Sequence, residues 1–242
     1  MNKKARFGWA KSLGVVTACL IFYALAPLHA SEPYLAPGHP DGIALLAPPP
    51  MPGSAEAAAD LELSRSVIKK RTPEEEARAK KSEGLSFSLF VSAIGPEFDL
   101  SKLPKTDALL KKVRAEIGGI IDTPKFHWKR KRPYEMDPEL KWGKPEDSPS
   151  YPSGHSTRGT VYSLLLADLF PEKREAILEK GREIGWDRVL IGKHFLTDIR
   201  AGRVLGQAIV HELKDSKAFE EDLAAAKAEI MAMEGELQKA GK

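Results

Sequence analysis

Helical periodicity runs almost unbroken from Gly53 to the end of this chain, and it limits the fold more than any other feature. Apolar residues recur at helical spacing, strand-like alternation is scarce, and the breaks are short, polar or marked by proline. The clearest apolar stripe follows one face of a predicted helix: Ala201, Val204, Leu205, Ala208 and Ile209. We therefore predict an all-α fold.

The pattern also locates individual helices. Thr72-Pro73-Glu74-Glu75 combines an N-cap residue, a proline at the first helical position and a glutamate at the third, which predicts a helix start. Further helices are predicted at about 106–122, 156–169, 172–184, 197–213 and 216–239. The last is rich in Ala, Glu and Lys and does not sustain the heptads of a coiled coil, so we expect a solvated helix packed by one side.

The first thirty residues resemble a secretory signal peptide. Four basic residues precede an apolar run from Leu13 to Leu28, and the small residue Ala30 offers a cleavage site. An uncleaved anchor and lipid attachment at Cys19 are the alternatives. Export with cleavage after about Ala30 predicts a periplasmic protein without stable membrane insertion.

Residues 31–53 form a second distinct segment. Seven prolines there exclude regular helix and predict an extended arm, which either lies on the body or stays mobile. Residues 54–242 are then one helical domain, long enough for a sizeable core. The oligomeric state stays open, and a homo-oligomer is one outcome.

Charge and cysteine content limit the partners. Residues 1–30 hold four of the 37 Lys and Arg and none of the 34 Asp and Glu, so the remainder carries a formal charge of −1. The basic balance of the chain therefore argues only weakly for nucleic acid, which we do not expect as a partner. The one cysteine lies in the leader, so the exported protein would form no disulfide.

The stretch SYPSGHST, residues 150–157, is either an ordinary turn before a helix or half of a reaction centre. Proline fixes φ, glycine permits positive φ, and serine caps helices, so the backbone chemistry alone needs no function. His155 at the start of a helix is the unusual element.

A basic segment, KFHWKRKRPYE at 125–135, places five basic residues in eight positions with aromatic residues among them. It fits a patch for nucleic acid or lipid head groups, and equally a solvated helix end. Further on, GWDRVLIGKHFLTDIRAGR contains His194 and Asp198, four residues apart. A carboxylate at that spacing can fix an imidazole tautomer, although an exposed helical pair has the same spacing.

Together the three segments supply what phosphoryl transfer needs. Lys125, Arg132 and Arg188 are cations for the non-bridging oxygens, and the amides of 153–155 lie at a helix start. Two histidines and a carboxylate provide a nucleophile, an acid and an orienting group. Arginine suits the task because its planar fork binds two phosphate oxygens.

These segments resemble the three signature motifs of the type 2 phosphatidic acid phosphatase superfamily, which includes vanadium haloperoxidases. Lys125, six residues and Arg132-Pro133 match the first motif, and Pro152-Ser153-Gly154-His155 matches the second. Arg188, five residues, His194, three residues and Asp198 match the third. Within the superfamily, the similarity from about Asp41 onward is to the exported class A bacterial non-specific acid phosphatases.

The resemblance implies a helical bundle of that superfamily and a broad-specificity phosphomonoesterase with an acid optimum. It implies that His194 attacks phosphorus, Asp198 orients His194, and His155 protonates the departing oxygen and later activates water. It also implies the phosphate ligands, which are Lys125, Arg132, Arg188, the Ser153 hydroxyl and the Gly154 amide. No metal or other cofactor is expected, and the partners are small phosphate monoesters.

One residue departs from the motif: Asp187 stands where serine precedes the arginine. We expect Asp187 to point away and pair with a nearby Lys or Arg; otherwise it weakens phosphate binding and shifts the pH profile. Among the other histidines, His127 is predicted to be structural, His211 to be a surface or packing residue, and His39 to lie in the arm.

Other functions compete with this interpretation. A serine hydrolase built on Ser153 would lack the Gly-x-Ser-x-Gly elbow and leave three cations unused. A metal site of His155, His194 and Asp198 would be opposed by the nearby cations. A non-catalytic anion-binding protein would not explain two histidines and an aspartate. Within the superfamily, a lipid-phosphate phosphatase and a vanadium haloperoxidase remain alternatives.

Overall fold

The computed structural model describes residues 32–240, so the predicted signal peptide and its cleavage site lie outside the described residues. Within 32–240 the secondary structure is entirely helical, which confirms the all-α prediction. Ten α-helices follow in order, with short 3₁₀ turns at 87–90, 138–140 and 171–173: α1 Gly42–Leu45, α2 Ala55–Lys70, α3 Pro73–Lys81, α4 Val91–Ile94, α5 Pro104–Trp128, α6 Pro133–Met136, α7 Gly154–Leu169, α8 Arg174–Leu190, α9 Leu196–Asp215 and α10 Lys217–Ala240.

Capping residues fix where several helices begin. Thr72 and Glu75 form the capping box predicted for α3. Ser153 caps α7, so this helix begins at Gly154, two residues earlier than expected, and includes His155. Helix α8 continues to Leu190, beyond the predicted end at 184, and therefore carries Asp187 and Arg188.

Helix α5 corrects the prediction that a helix would end at 122, before Pro124. Pro124 lies inside the helix, is buried, and packs where a Cβ on Gly42 would come within 3.0 Å of its ring. The helix continues to Trp128 and ends at Lys129, which adopts φ 49° and donates its N–H to the Lys125 carbonyl. Packing of α1 on α5 thus outweighs the local cost of proline, and it places Lys125 on the last turn.

Glycines, rather than large apolar residues, bring the central helices together. Helix α7 makes its most extensive contacts with α8 and α9. A Cβ added to Gly202 of α9 would lie 2.7 Å from the Ser153 carbonyl oxygen, and one added to Gly206 would lie 2.8 Å from that of Thr157. The buried face of α9 is therefore turned toward its glycines, and Val204, predicted to be in the core, is 46% exposed.

The proline-rich segment was predicted either to lie on the body or to stay mobile. In the structure it lies on the body. It is not wholly extended, because α1 forms between its prolines, and this corrects the exclusion of helix there. Tyr34 and Leu35 are buried, and their N–H groups donate to the Glu116 carboxylate on α5. The Tyr34 hydroxyl donates to Asp222 of α10 at 2.5 Å.

The C-terminal helix packs by one side, as predicted. Phe219, Leu223 and Ile230 are buried in the main core, whereas Leu237 is 52% exposed. Across residues 32–240, the helices all fall short of the length and apolar character that crossing a membrane requires.

Candidate active site

The three sequence motifs meet around His194, which lies in the turn before α9 and is 2% exposed. Burial and then the positive charges of Arg132, Lys125 and Arg188 lower the pKa of His194 well below its usual value. His155 also acts on it. The predicted site residues are therefore gathered in one place, and the imidazole at its centre is neutral.

The contacts of His194 fix its tautomer. Its Nδ1 lies 3.4 Å from Asp198 Oδ2 and 3.3 Å from Ser150 Oγ, both of which can accept a proton. Its Nε2 lies 3.3 Å from Nη1 of Arg132, a group that can only donate. Nε2 is therefore the acceptor nitrogen, and its lone pair points toward the cations.

Asp198 is fully buried on the first turn of α9 and accepts bonds from several directions. Ser150 Oγ donates at 2.5 Å, the Phe195 N–H at 2.9 Å and Arg130 Nη1 at 2.6 Å. Burial raises the pKa of Asp198, and these donors oppose that shift by stabilising the carboxylate. Asp198 is thereby held rigidly beside Nδ1 of His194.

Arg130 is a candidate site residue that the sequence analysis missed, because it contacts Asp198 directly. Its side chain is 9% exposed and bridges Asp198 to Asp60 of α2 at 2.8 Å, and Asp60 also accepts from the Thr197 hydroxyl. The only sequence signal was its membership of the basic segment. Asp60 is seventy residues away along the chain, so no local pattern indicates the pair.

Two of the predicted phosphate ligands hold backbone carbonyls in this structure. Lys125 Nζ donates to the Pro149 carbonyl at 2.7 Å, and Arg132 donates to Ser148 and Lys193 carbonyls at 2.9 and 2.8 Å. Burial and then the charge of Arg132 lower the pKa of Lys125 to about 7. The Lys125 ammonium is therefore only partly charged at neutral pH.

Of the three cations, Arg188 has the most donor groups available to an anion. Its side chain is 1% exposed, and Nη2 pairs with Glu146 of the loop before α7. Among the described residues, its Nε and Nη1 are buried donors without a hydrogen-bond partner. Unsatisfied guanidinium donors are costly in a protein interior, and a phosphate would satisfy them.

The N-terminus of α7 supplies the remaining predicted ligands. Ser153 is fully buried, and its Oγ accepts from the Ser156 N–H, so the hydroxyl proton is the group that it can offer an anion. Gly154 is the first residue of the helix, where amides have no intrahelical acceptor. A Cβ on Gly154 would lie 3.7 Å from Lys125 Cε, so the lysine side chain packs against the first residue of α7.

His155 lies on the first turn of α7, and its Nε2 lies 3.1 Å from the Glu83 carbonyl oxygen. Since a carbonyl only accepts, Nε2 carries a proton and Nδ1 is left for the substrate. Burial and then the charge of Arg188 lower the pKa of His155 to about 3, whereas Glu83 and Glu146 act to raise it. Without an anion in the site, His155 is therefore neutral.

Sequence comparison places this geometry in a family. Residues 115–216 match the sequence model of the PAP2 superfamily, and every predicted site residue lies inside that range. This chain contains a PAP2 superfamily domain. The domain runs from the middle of α5 to the end of α9, and so includes α7 and the two helices packed against it, α8 and α9.

Several relatives of this chain are named phosphatases. An acid phosphatase of Zymomonas mobilis is 29% identical over 201 residues, covering 79% of this chain and 76% of that protein. A non-specific acid phosphatase of Salmonella typhimurium is 31% identical over 150 residues, covering 59% of each. A lipid A 1-phosphatase of Rhizobium etli is 39% identical over 57 residues, covering 24% of this chain and 25% of that protein.

One solved structure is similar to this chain over much of its length. It is a transmembrane PAP2-type phosphatidylglycerolphosphate phosphatase from Bacillus subtilis, with a TM-score of 0.47 and 22% identity. The similarity covers 72% of this chain and 89% of that one.

The basic segment of the PAP2 domain is not a uniform surface patch. Lys125, Arg130 and Arg132 face inward, while Lys129 and Lys131 are exposed. His39, His127 and His211 are all exposed, and the His127 ring lies against the Trp128 ring. Over residues 32–240 no group of three or more His, Cys, Asp or Glu side chains is arranged to hold a metal ion.

Asp187 pairs with an arginine, as expected, and its carboxylate is turned toward α3. Its Oδ1 accepts from Arg78 Nε at 2.9 Å, and its Oδ2 from Ser82 Oγ at 2.9 Å. Asp187 is 1% exposed, and although burial raises its pKa, these two donors stabilise its charge.

Proposed function

We propose that this PAP2 protein is an exported acid phosphatase that hydrolyses small phosphate monoesters of broad range through a phosphohistidine on His194. The superfamily and the relatives named acid phosphatase support a phosphoric monoester hydrolase. The observation that carries the mechanism is the pairing of a neutral His194, whose Nε2 lone pair faces the cations, with buried Arg188 donors that lack a partner.

In the first step, a phosphate ester replaces the internal partners of Arg132 and Arg188. The Arg132 contact leaves Nε2 of His194, which forms a bond to phosphorus as the bond to the alcohol oxygen breaks. Asp198 accepts the Nδ1 proton in a hydrogen bond and so stabilises the charge that develops on the ring. His155 gives its Nδ1 proton to the departing oxygen.

In the second step, the neutral His155 accepts a proton from water. The water oxygen bonds to phosphorus, the phosphorus–nitrogen bond breaks, and its electron pair returns to Nε2 of His194. Phosphate is released, and the proton left on His155 serves the next turnover or returns to solvent.

The protonation of His155 accounts for an acid optimum. A pKa of about 3 in the unoccupied pocket means that this ring gains its proton only when phosphate charge enters. The second pKa of a phosphate monoester is about 6. Below that pH the ester binds as a monoanion and brings its own proton into the site. Hydrolysis is therefore expected to fall as pH rises above neutrality.

Hydrolysis of p-nitrophenyl phosphate by the purified protein, with EDTA present and across pH 4–9, tests the proposal. We expect metal-independent turnover that vanadate blocks and that His194→Ala abolishes, with an acid-labile phosphoenzyme trapped at pH 8 in the wild type. His211→Ala, which changes an exposed histidine, is the matched control and should turn over like the wild type. A wild type that hydrolyses no phosphate ester would refute the proposal, as would an active His194→Ala variant.

His155→Ala tests the proposed acid role of His155 separately from the nucleophilic role of His194. General acid catalysis is worth about 10² to 10⁴ in rate, so this variant should be slow and should prefer esters with good leaving groups. Retention of the wild-type preference would remove His155 from the acid role.

Export is tested separately. Expression of the full chain in a bacterium with a periplasm should yield activity in the osmotic-shock fraction, and N-terminal sequencing should begin at about Ser31. A protein that stays in the membrane with residues 1–30 attached would contradict cleavage and support the anchor.

A lipid-phosphate phosphatase is the second candidate, and the local similarity to a lipid A 1-phosphatase favours it. The same preparation should be assayed on phosphatidic acid and on lipid A in detergent micelles. Values of kcat/KM that exceed those for soluble monoesters by about tenfold or more would favour the lipid function.

A further inference from the structure

A polar bridge joins the end of α3 to α8 beside the active site. Asp187 of α8 accepts from Arg78 and from Ser82, and Ser82 is the residue at which α3 ends. The Arg78 side chain is 34% exposed, so it can reach solvent, whereas the Asp187 side chain cannot. The carboxylate is thus the buried, fixed member of the bridge.

The bridge leads directly to His155. Glu83 follows Ser82 in the chain, and its carbonyl oxygen accepts the Nε2 proton of His155 at 3.1 Å. A carbonyl in that place orients the ring with Nδ1 toward the substrate. It also stabilises the protonated ring, opposing the burial and the Arg188 charge that lower the pKa of His155.

We infer that Asp187 is a positioning residue for the acid role of His155, because it holds the Ser82–Glu83 segment that fixes the imidazole ring. The inference rests on the proposed function. It gives a physical reason for the departure from the motif: aspartate offers two oxygens, one for Arg78 and one for Ser82. A serine has one oxygen, and that oxygen is one bond closer to the backbone.

Leaving-group dependence tests the inference, since only esters with poor leaving groups need a proton from His155. Asp187→Asn should lower kcat/KM for glycerol phosphate by about tenfold or more, and for p-nitrophenyl phosphate by less than about threefold. Inhibition by sulfate should change by less than about twofold, because Lys125, Arg132 and Arg188 keep their places. The charges of Arg188, Arg158 and Glu146, which also act on His155, stay in every variant.

Ser82→Ala supplies a milder variant in case Asp187→Asn does not fold. It removes one of the two donors to Asp187 and should show the same selective loss, at smaller amplitude. Thr72→Ala is the matched control, because it removes the capping box at the other end of α3 and leaves Ser82 and Glu83 untouched. It should lower Tm without changing the ratio of the two kcat/KM values.

The outcomes separate the two ideas. An equal loss for both esters in Asp187→Asn and Ser82→Ala, or sulfate inhibition weakened about tenfold, would mean that Asp187 acts through Arg188 or through stability, and would overturn the inference. A wild type inactive on both esters would instead overturn the proposed function.

Discussion

At the scale of single residues, Glu146 occupies part of the guanidinium of Arg188, the arginine proposed to bind the substrate phosphate. Its carboxylate pairs with Arg188, and although burial raises its pKa, the charges of Arg188 and Arg132 hold that pKa below the usual value. This lowered pKa keeps Glu146 ionised at neutral pH, where its carboxylate would compete with phosphate for the guanidinium. In the unoccupied site, Glu146 would therefore act as a weak internal competitor of phosphate.

Removing that charge should strengthen anion binding. Glu146→Gln is expected to lower the inhibition constant of inorganic phosphate by about fivefold, since exposed and half-exposed ion pairs are worth about 1 kcal/mol. The difference should persist from pH 5 to pH 8, where Glu146 is ionised. Steady-state inhibition measures it, with the exposed Glu139→Gln as control; unchanged inhibition would show that Glu146 does not compete.

Lys125 should make anion binding depend on pH. With a pKa of about 7 in the unoccupied site, it loses a positive charge as pH rises through neutrality. Sulfate keeps its charge throughout, so its inhibition constant should rise between pH 6 and pH 8.5. The rise should be steeper in the wild type than in Lys125→Arg, where only the proton taken up by His155 still links anion binding to pH. The exposed Lys129→Arg should follow the wild type, and a level wild-type profile would contradict the lowered pKa.

The spacing of the motif residues and their resemblance to a known family gave the candidate site residues, and the structure brings these residues together. The sequence could not predict their supporting partners. Arg130 acts through Asp60 on a distant helix, Ser150 is one of many loop serines, and the Glu83 carbonyl has no side-chain signature. These contacts exist only after the chain has packed.

At the scale of elements, the contact of α7 with α9 depends on glycine. Gly206→Ala would place a methyl group 2.8 Å from the Thr157 carbonyl oxygen and from Thr160 Cβ. Overpacking of this kind typically costs about 1–3 kcal/mol, which exceeds the helix-propensity gain. We expect Gly206→Ala to lower the free energy of unfolding by urea, and to weaken activity, because α9 carries Asp198.

Gly119→Ala is the matched substitution. Gly119 is exposed on α5, and nothing lies within 4 Å of its added Cβ, so the change should stabilise the protein by about 0.5–1 kcal/mol. If both substitutions change the free energy of unfolding equally, the close contact at Gly206 does not destabilise the alanine variant as expected.

Helix identity followed from periodicity, whereas helix ends and faces did not. The pattern ended α5 before Pro124 and α8 at 184, since proline and charged residues interrupt apolar spacing. Tertiary contacts extended both helices. The face assigned to Val204 was wrong for a related reason: Gly202 and Gly206 give no apolar signal in the sequence, although they pack closely on α7.

At the scale of the whole molecule, the proline-rich segment ties together helices far apart in sequence. The Tyr34 ring lies edge-on to Phe219 at 5.4 Å, under the Lys112 ammonium at 3.6 Å, and its hydroxyl reaches Asp222. Composition predicted the segment but left its position open. Docking depends on side chains of α5 and α10, which the segment itself does not reveal.

Tyr34→Ala should therefore destabilise the protein by about 3 kcal/mol, as removal of a buried aromatic ring does. Tyr34→Phe keeps the ring contacts and loses one hydrogen bond, so about 1 kcal/mol is expected. Urea unfolding gives both values. Activity at 25 °C should be unchanged, and a Tyr34→Ala midpoint equal to that of the wild type would mean that the segment does not hold the body in solution.

Within residues 32–240 the Nε and Nη1 groups of Arg188 have no hydrogen-bond partner, and this affects the stability of the folded protein as well as its chemistry. An interior that is complete only with an anion bound makes the ligand part of the fold, since whatever binds the native state alone raises its stability. Product phosphate would then shield the protein from unfolding and proteolysis where esters are plentiful. The lifetime of the folded phosphatase would therefore be longest where its substrates are abundant.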